Sequence, residues 1–157
     1  MTVSASSIQT SSANTTLKSS ISIKDVTGGK ETSPMWTSQV DSSDFQRALE
    51  NSLRATGLLS PIGSNGPYQL TADLTSLDQP MVGFNMTVTA TVRYSLIEKI
   101  SGKEIFSRSI PTPYTAKIGD AFVGSERLKL ANEGAIRKNI EELIAELLRL
   151  KVQVSIK

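Results

Sequence analysis

Apolar and polar positions alternate, cluster and then recur at helical spacing along this chain, and that pattern divides it into six elements. Residues 20–26 open the ordered part. Ile21 and Ile23 alternate with Ser22 and Lys24, the period-two signature of a half-buried strand, and Gly28-Gly29 interrupts it. A loop through Pro34, Met35 and Trp36 runs to about Val40. Phe45, Ala48, Leu49, Leu53 and Thr56 then fall on one helical face. Ser43 with Gln46 three residues on makes a capping box, Asp44 suits the N-terminal dipole, and Gly57 is placed for a left-handed C-terminal cap.

After a turn-rich connector at 60–67, residues 68–74 alternate Tyr68, Leu70, Ala72 and Leu74 with polar partners. The strongest strand spans 86–96. Met86, Val88, Ala90, Val92, Tyr94 and Leu96 form one face, and Thr87, Thr89, Thr91, Arg93 and Ser95 the other. Ser101-Gly102 signals a hairpin, with a return strand over 103–110; Pro111 and Pro113 predict an edge position or a strand end. A long helix follows over 126–150, capped by Ser125, with a wide apolar stripe from Leu128 to Leu148. Gly134 interrupts that helix at a cost of about 1 kcal/mol against alanine, which points to a close approach by another element. Val152, Val154 and Ile156 allow a short final strand.

The order β-α-β-β-β-α, with an optional last β, predicts an α+β fold. Each strand has one apolar face and each helix one stripe. A two-layer sandwich satisfies both: a mixed, mostly antiparallel sheet of about four strands, with two helices on one face. The first two strands are expected to be parallel through a right-handed crossover, and the outer sheet face to be rich in Ser and Thr.

Composition changes the picture at the N-terminus. The first sixty residues hold 22 Ser and Thr and the last thirty-seven hold 2. Residues 1–19 carry too little apolar surface to offset the entropy of ordering, so they read as a flexible arm or tether ahead of a single domain at 20–157. No apolar run is long enough to span a membrane, and no signal-peptide pattern opens the sequence.

With 157 residues, no cysteine and no histidine, the chain has no disulfide, thiolate, imidazole base or imidazole metal ligand to offer. A net charge of +2 is too small for a nucleic-acid footprint. Gly28-Gly29-Lys30 lacks the spacing of a phosphate loop, and no calcium loop or nucleophile elbow is present. A hydrolase would need a Ser-Lys pair or two facing carboxylates, and neither has a sequence signature here; Asp73 and Asp78 read as solvent-facing. Catalytic residues, metal ligands and cofactors are therefore assigned to none. The sequons at Asn14 and Asn85 are expected by chance in so Ser/Thr-rich a chain. Large side chains in polar loops are the remaining candidates. Met35, Trp36, Phe84 and Phe122 are read as partner-binding residues, against the alternative of ordinary packing over a sheet edge.

The helix from Phe45 to Gly57, the Asn65-Gly66-Pro67-Tyr68-Gln69-Leu70 lead-in, the long hairpin turning at Ser101-Gly102-Lys103, and Ala131-Asn132-Glu133 in the second helix carry a resemblance. Over roughly residues 20–150 the chain resembles small bacterial envelope lipoproteins of the YajG type. More loosely it is similar to the sheet-plus-two-helices lipoproteins that assist outer-membrane assembly. The resemblance implies a periplasmic domain anchored to the outer membrane, with residues 1–19 as its tether. It supplies no catalytic residues. The chain contains no cysteine to acylate, so the anchor is expected to precede Met1.

The expected function is accordingly non-enzymatic: an envelope domain that binds a protein or glycolipid partner, as a monomer or weak homo-oligomer, without nucleic acid. The alternatives are an envelope hydrolase using Ser-Lys or carboxylate chemistry and a self-associating structural subunit.

Overall fold

A computed structural model describes residues 17–28, 42–61, 66–79 and 85–150. Its elements run β1 (Ile21–Gly28), α1 (Ser42–Ala55), β2 (Tyr68–Asp78), β3 (Met86–Glu98), β4 (Glu104–Ala116) and α2 (Gly124–Arg149). The four strands form one sheet in the order β1-β2-β3-β4, with β1 parallel to β2 and the other neighbours antiparallel. This is the expected α+β order. The expected strand at 152–156 and most of the expected arm lie outside the described residues.

Register sorts the side chains into two faces. Leu70, Ala72 and Leu74 of β2 lie opposite Leu96, Tyr94 and Val92 of β3, and Val92 lies opposite Ile110 of β4. All but one of these are no more than 5% exposed, and Ile110 is 6% exposed, so this face is the core face. On the other face Thr71 opposes Ser95, Asp73 opposes Arg93 and Thr87 opposes Thr115, whose hydroxyls share a 2.7 Å hydrogen bond. The outer face is hydroxyl-rich, as the alternation predicts. β4 continues through Pro111 and Pro113 to Ala116 instead of ending at Ile110. Both prolines keep their pairing with Thr91 and Thr89, and both sit at the same parity on an edge strand. Their missing N–H groups therefore fall on the unpaired side, where no ladder bond is lost.

Phe45, Ala48, Leu49 and Leu53 bury the inner face of α1. Its exit follows from Gly57, at φ 76°. The Leu58 N–H donates to the Leu53 carbonyl at 2.9 Å and the Gly57 N–H to Arg54 at 3.2 Å, the two bonds of a Schellman cap. The chain then runs beside β1, where the Ile21 N–H donates to Leu58 and the Ser60 N–H to Ile21. The Ser19 N–H donates to the Gly57 carbonyl at 2.9 Å, and Leu17 is fully buried. The core thus includes Leu17, inside the stretch whose composition suggests an arm.

The buried face of α2 carries Leu128, Ala131, Ala135, Ile136, Ile140, Leu143, Ile144 and Leu147. The helix starts at Gly124, with Val123 in the cap position and no side-chain cap, so Ser125 lies within the first turn. Gly134 meets the ring of Tyr114 on β4, so close that a Cβ there would overlap it. That contact explains the glycine. Asn139 is fully buried in the same face. Its Oδ1 accepts from the Tyr94 hydroxyl at 2.7 Å, and its Nδ2 donates to the Ile110 carbonyl at 2.6 Å and to Thr112 Oγ1 at 3.1 Å. The Thr112 hydroxyl donates in turn to the Ala135 carbonyl at 2.8 Å. One helix is thereby bonded to two strands through a closed polar network.

Asn139→Ala is expected to cost about 2–4 kcal/mol, because it leaves the Tyr94 hydroxyl without its acceptor and removes the amide's bonds to Ile110 and Thr112. Urea denaturation measures it. Burial pushes the Tyr94 phenol well above its usual 10.0. The unfolded chain can therefore ionise above pH 10 where the folded one cannot, and stability falls as pH rises through that region. Tyr94→Phe is expected to flatten this alkaline decline while lowering stability at neutral pH by about 1 kcal/mol. Denaturation curves from pH 8 to 12 test both slopes.

Candidate functional site

The strands end so that the C-termini of β2 and β4, the N-terminus of β3 and the start of α2 share one end of the sandwich, since Met86 pairs with Ala116 and Asp78 with Thr89. The β4–α2 connection at this end opens with a tight turn. The Asp120 N–H donates to the Lys117 carbonyl at 2.9 Å, and the Lys117 N–H donates to Asp120 Oδ2 at 2.7 Å. Phe122 follows, 90% exposed, with Val123 and Ile118 also exposed beside it. Arg127, buried in the first turns of α2, reaches back and donates through Nη1 to the carbonyls of Ala121 and Phe122, each at 2.8 Å. Its buried Nε has no hydrogen-bond partner. A buried guanidinium spent on two loop carbonyls holds the backbone and leaves the Phe122 ring in solvent. Of the sequence-derived partner residues, only Phe122 is described; Met35, Trp36 and Phe84 lie outside the described residues.

A second feature lies at the opposite end. Gln46, Glu50 and Arg54, one stripe of α1, line a cleft of about 600 Å3 together with Ile23, Leu59 and Ser60. Gln46 Nε2 donates to Glu50 Oε1 at 3.1 Å and Arg54 Nη1 to Asn51 Oδ1 at 2.8 Å. Among the described lining residues Glu50 is the one carboxylate and there is no lysine. Every described lysine is exposed, whereas a Ser-Lys pair needs a desolvated amine. The described lining thus offers hydroxyls and a single carboxylate. No group of three acidic, His or Cys side chains among the described residues could hold a metal ion. No helix among them is long and apolar enough to cross a membrane.

No family model matches the chain, and no curated protein matches it in sequence. Solved structures do. A Xanthomonas campestris protein of the DUF330 family superposes with a TM-score of 0.64 at 13% identity, covering 82% of this chain and 83% of that one. A minor lipoprotein from Acinetobacter baumannii matches at 0.54 and 12% identity, over 84% of this chain and 94% of its own. A PelC variant from Paraburkholderia phytofirmans, described as a dodecamer, matches at 0.54 and 14% identity, over 85% and 91%. At these identities the likeness establishes the fold. This sheet-plus-two-helices sandwich is one that bacterial lipoproteins use.

Arg127 and the α1 cleft escape a reading by periodicity. Arg127 looks like any charged residue in a first turn, and the only hint is that it abuts Leu128 at the start of the apolar stripe. Phe122→Ser is expected to change stability by less than about 0.5 kcal/mol, while Arg127→Met costs about 1–3 kcal/mol and opens the loop to chymotrypsin. Urea curves and limited proteolysis of the two variants test that division of labour.

Proposed function

We propose that this chain is the globular part of a bacterial envelope lipoprotein of the YajG type. It is a non-enzymatic domain held at the outer membrane, on its periplasmic side, by the Ser/Thr-rich stretch ahead of Leu17. It binds an envelope protein or glycolipid through the end that carries Phe122. The observation that carries this reading is the fold it shares, over more than four-fifths of its length, with a minor lipoprotein and with the DUF330 protein. The exposed ring of Phe122 on a backbone clamped by Arg127 supports the binding part, because large rings on rigid loops concentrate binding energy.

Self-association is a second reading, favoured by the dodecameric state of the PelC structure. The two prolines on the outer edge of β4 remove successive donors that a second sheet would need, so assembly through that edge is disfavoured. Sedimentation separates the readings: a single 16.9 kDa species at all concentrations removes self-association.

Metabolic labelling of the native gene product with an alkyne palmitate tests the anchor. The expected result is a labelled protein in the membrane fraction; an unlabelled product that fractionates away from membranes overturns the reading.

A further inference from the structure

The turn between β3 and β4 lies at the end of the sandwich opposite Phe122, and it carries Ile100, which is 93% exposed. Its backbone is closely tied. The Gly102 N–H donates to the Glu98 carbonyl and the Glu98 N–H to Lys103, both at 2.8 Å. Ser101 Oγ donates to Glu98 Oε1 at 2.8 Å, and the Lys99 N–H donates to the Pro67 carbonyl at 2.9 Å. These bonds tie the turn to itself and to Pro67, and Ile100 stands outward from it. A turn built for solubility alone favours Gly, Asn, Asp or Ser at such a site.

The charge around Ile100 is of one sign more than the other. Lys18, Arg54, Lys99 and Lys103 are exposed at this end, against Glu104 and the half-buried Glu50 and Glu98. Glu146 is shared between Arg108 at 2.8 Å and Arg149 at 3.6 Å. Arg54 and Arg149 suit the C-terminal ends of the two helices, but Lys18, Lys99 and Lys103 belong to no helix and have no such explanation. At the opposite end Asp44, Asp78, Asp120 and Glu126 offset Arg47, Lys117 and Lys129.

Leu17 is fixed at the basic end, through the bond from Ser19 to the C-cap of α1. Three strand spacings, about 14 Å, separate β1 from β4. Leu17, the first described residue, therefore lies at the same end of the sandwich that presents Ile100.

We infer that the tip of the β3–β4 hairpin is a membrane-contact site, with Ile100 entering the interface and Lys99 and Lys103 meeting anionic headgroups. The inference rests on the lipid-anchored reading above and adds the orientation of the domain. A single apolar side chain is too small to seed a protein interface, which needs about 800 Å2 per partner. A bilayer accepts one, because the lysine stems lie along the boundary while their ammonium groups stay in water. Such a contact has a purpose beside a lipid anchor, since one acyl chain alone gives only marginal membrane binding.

The absence of cysteine allows a clean test. The unlipidated chain, labelled with an environment-sensitive dye at Ile100→Cys or, as the control from the other end, at Phe122→Cys, is mixed with vesicles. One set contains phosphatidylcholine with a quarter phosphatidylglycerol, and the other phosphatidylcholine alone. The expected result is a blue shift at position 100 and none at 122, on the anionic vesicles only. In flotation of the otherwise unaltered chain, Lys99→Gln and Lys103→Gln are each expected to reduce partitioning about fivefold. No binding to either vesicle, equal binding to both, or a shift at 122 in place of 100 overturns the inference. An Ile100 failure leaves the anchor reading standing, because palmitate labelling reads that separately. A protein partner at the tip would appear as the no-binding outcome here.

Discussion

The side chain of Asn139 determines where the second helix can sit. Its amide bonds one strand through the Tyr94 hydroxyl and the next through the carbonyl of Ile110, while Thr112 closes the circuit onto the helix backbone. An apolar stripe on a flat sheet can slide by a residue or rotate by a few tens of degrees at little cost, since hydrophobic contact is non-directional. A buried amide cannot, because each of its groups must keep a partner away from water. Gly134 and the Tyr114 ring, a turn and a half upstream, add a steric key to the same register.

Both surface features follow from that placement. Fixing α2 on β3 and β4 fixes its first turns, from which Arg127 reaches the carbonyls that hold Phe122 outward. The same sheet carries the hairpin tip at its other end, tied to Pro67 and shaped by Gly102 at φ 70°. The sandwich behaves as a rod with unlike ends. One end is basic, carries Ile100 and holds the buried Leu17; the other carries Phe122 beside a balanced set of charges.

Much of this was legible in the chain, for identifiable reasons. Period-two alternation in β3 and the Gly57 cap of α1 are local signals, and the structure has both where they were expected. The run of β4 through Pro111 and Pro113 was not legible, because whether a missing N–H matters depends on which side the neighbouring strand lies. Leu17 read as arm because its neighbours are Ser, Thr and Asn; its burial comes from the C-cap of α1, forty residues away in sequence. Asn132 and Asn139 did leave a trace, seven residues apart within an apolar stripe, but a stripe alone does not say what the amides face. Of the candidate site, Phe122 was visible as a large ring in a polar loop. Arg127 and Ile100 depend on tertiary geometry that spacing does not encode.

The central functional claim is one of orientation: a tethered domain standing with its hairpin end toward the bilayer and Phe122 away from it. The most direct measurement is energy transfer from a single dye to acceptors in the lipid phase, made on the native membrane-bound protein with the dye at position 100 or at position 122. The two positions lie at opposite ends of strands about 40 Å long. The account predicts strong transfer from 100 and weak transfer from 122. Equal transfer, or the reverse order, would contradict it.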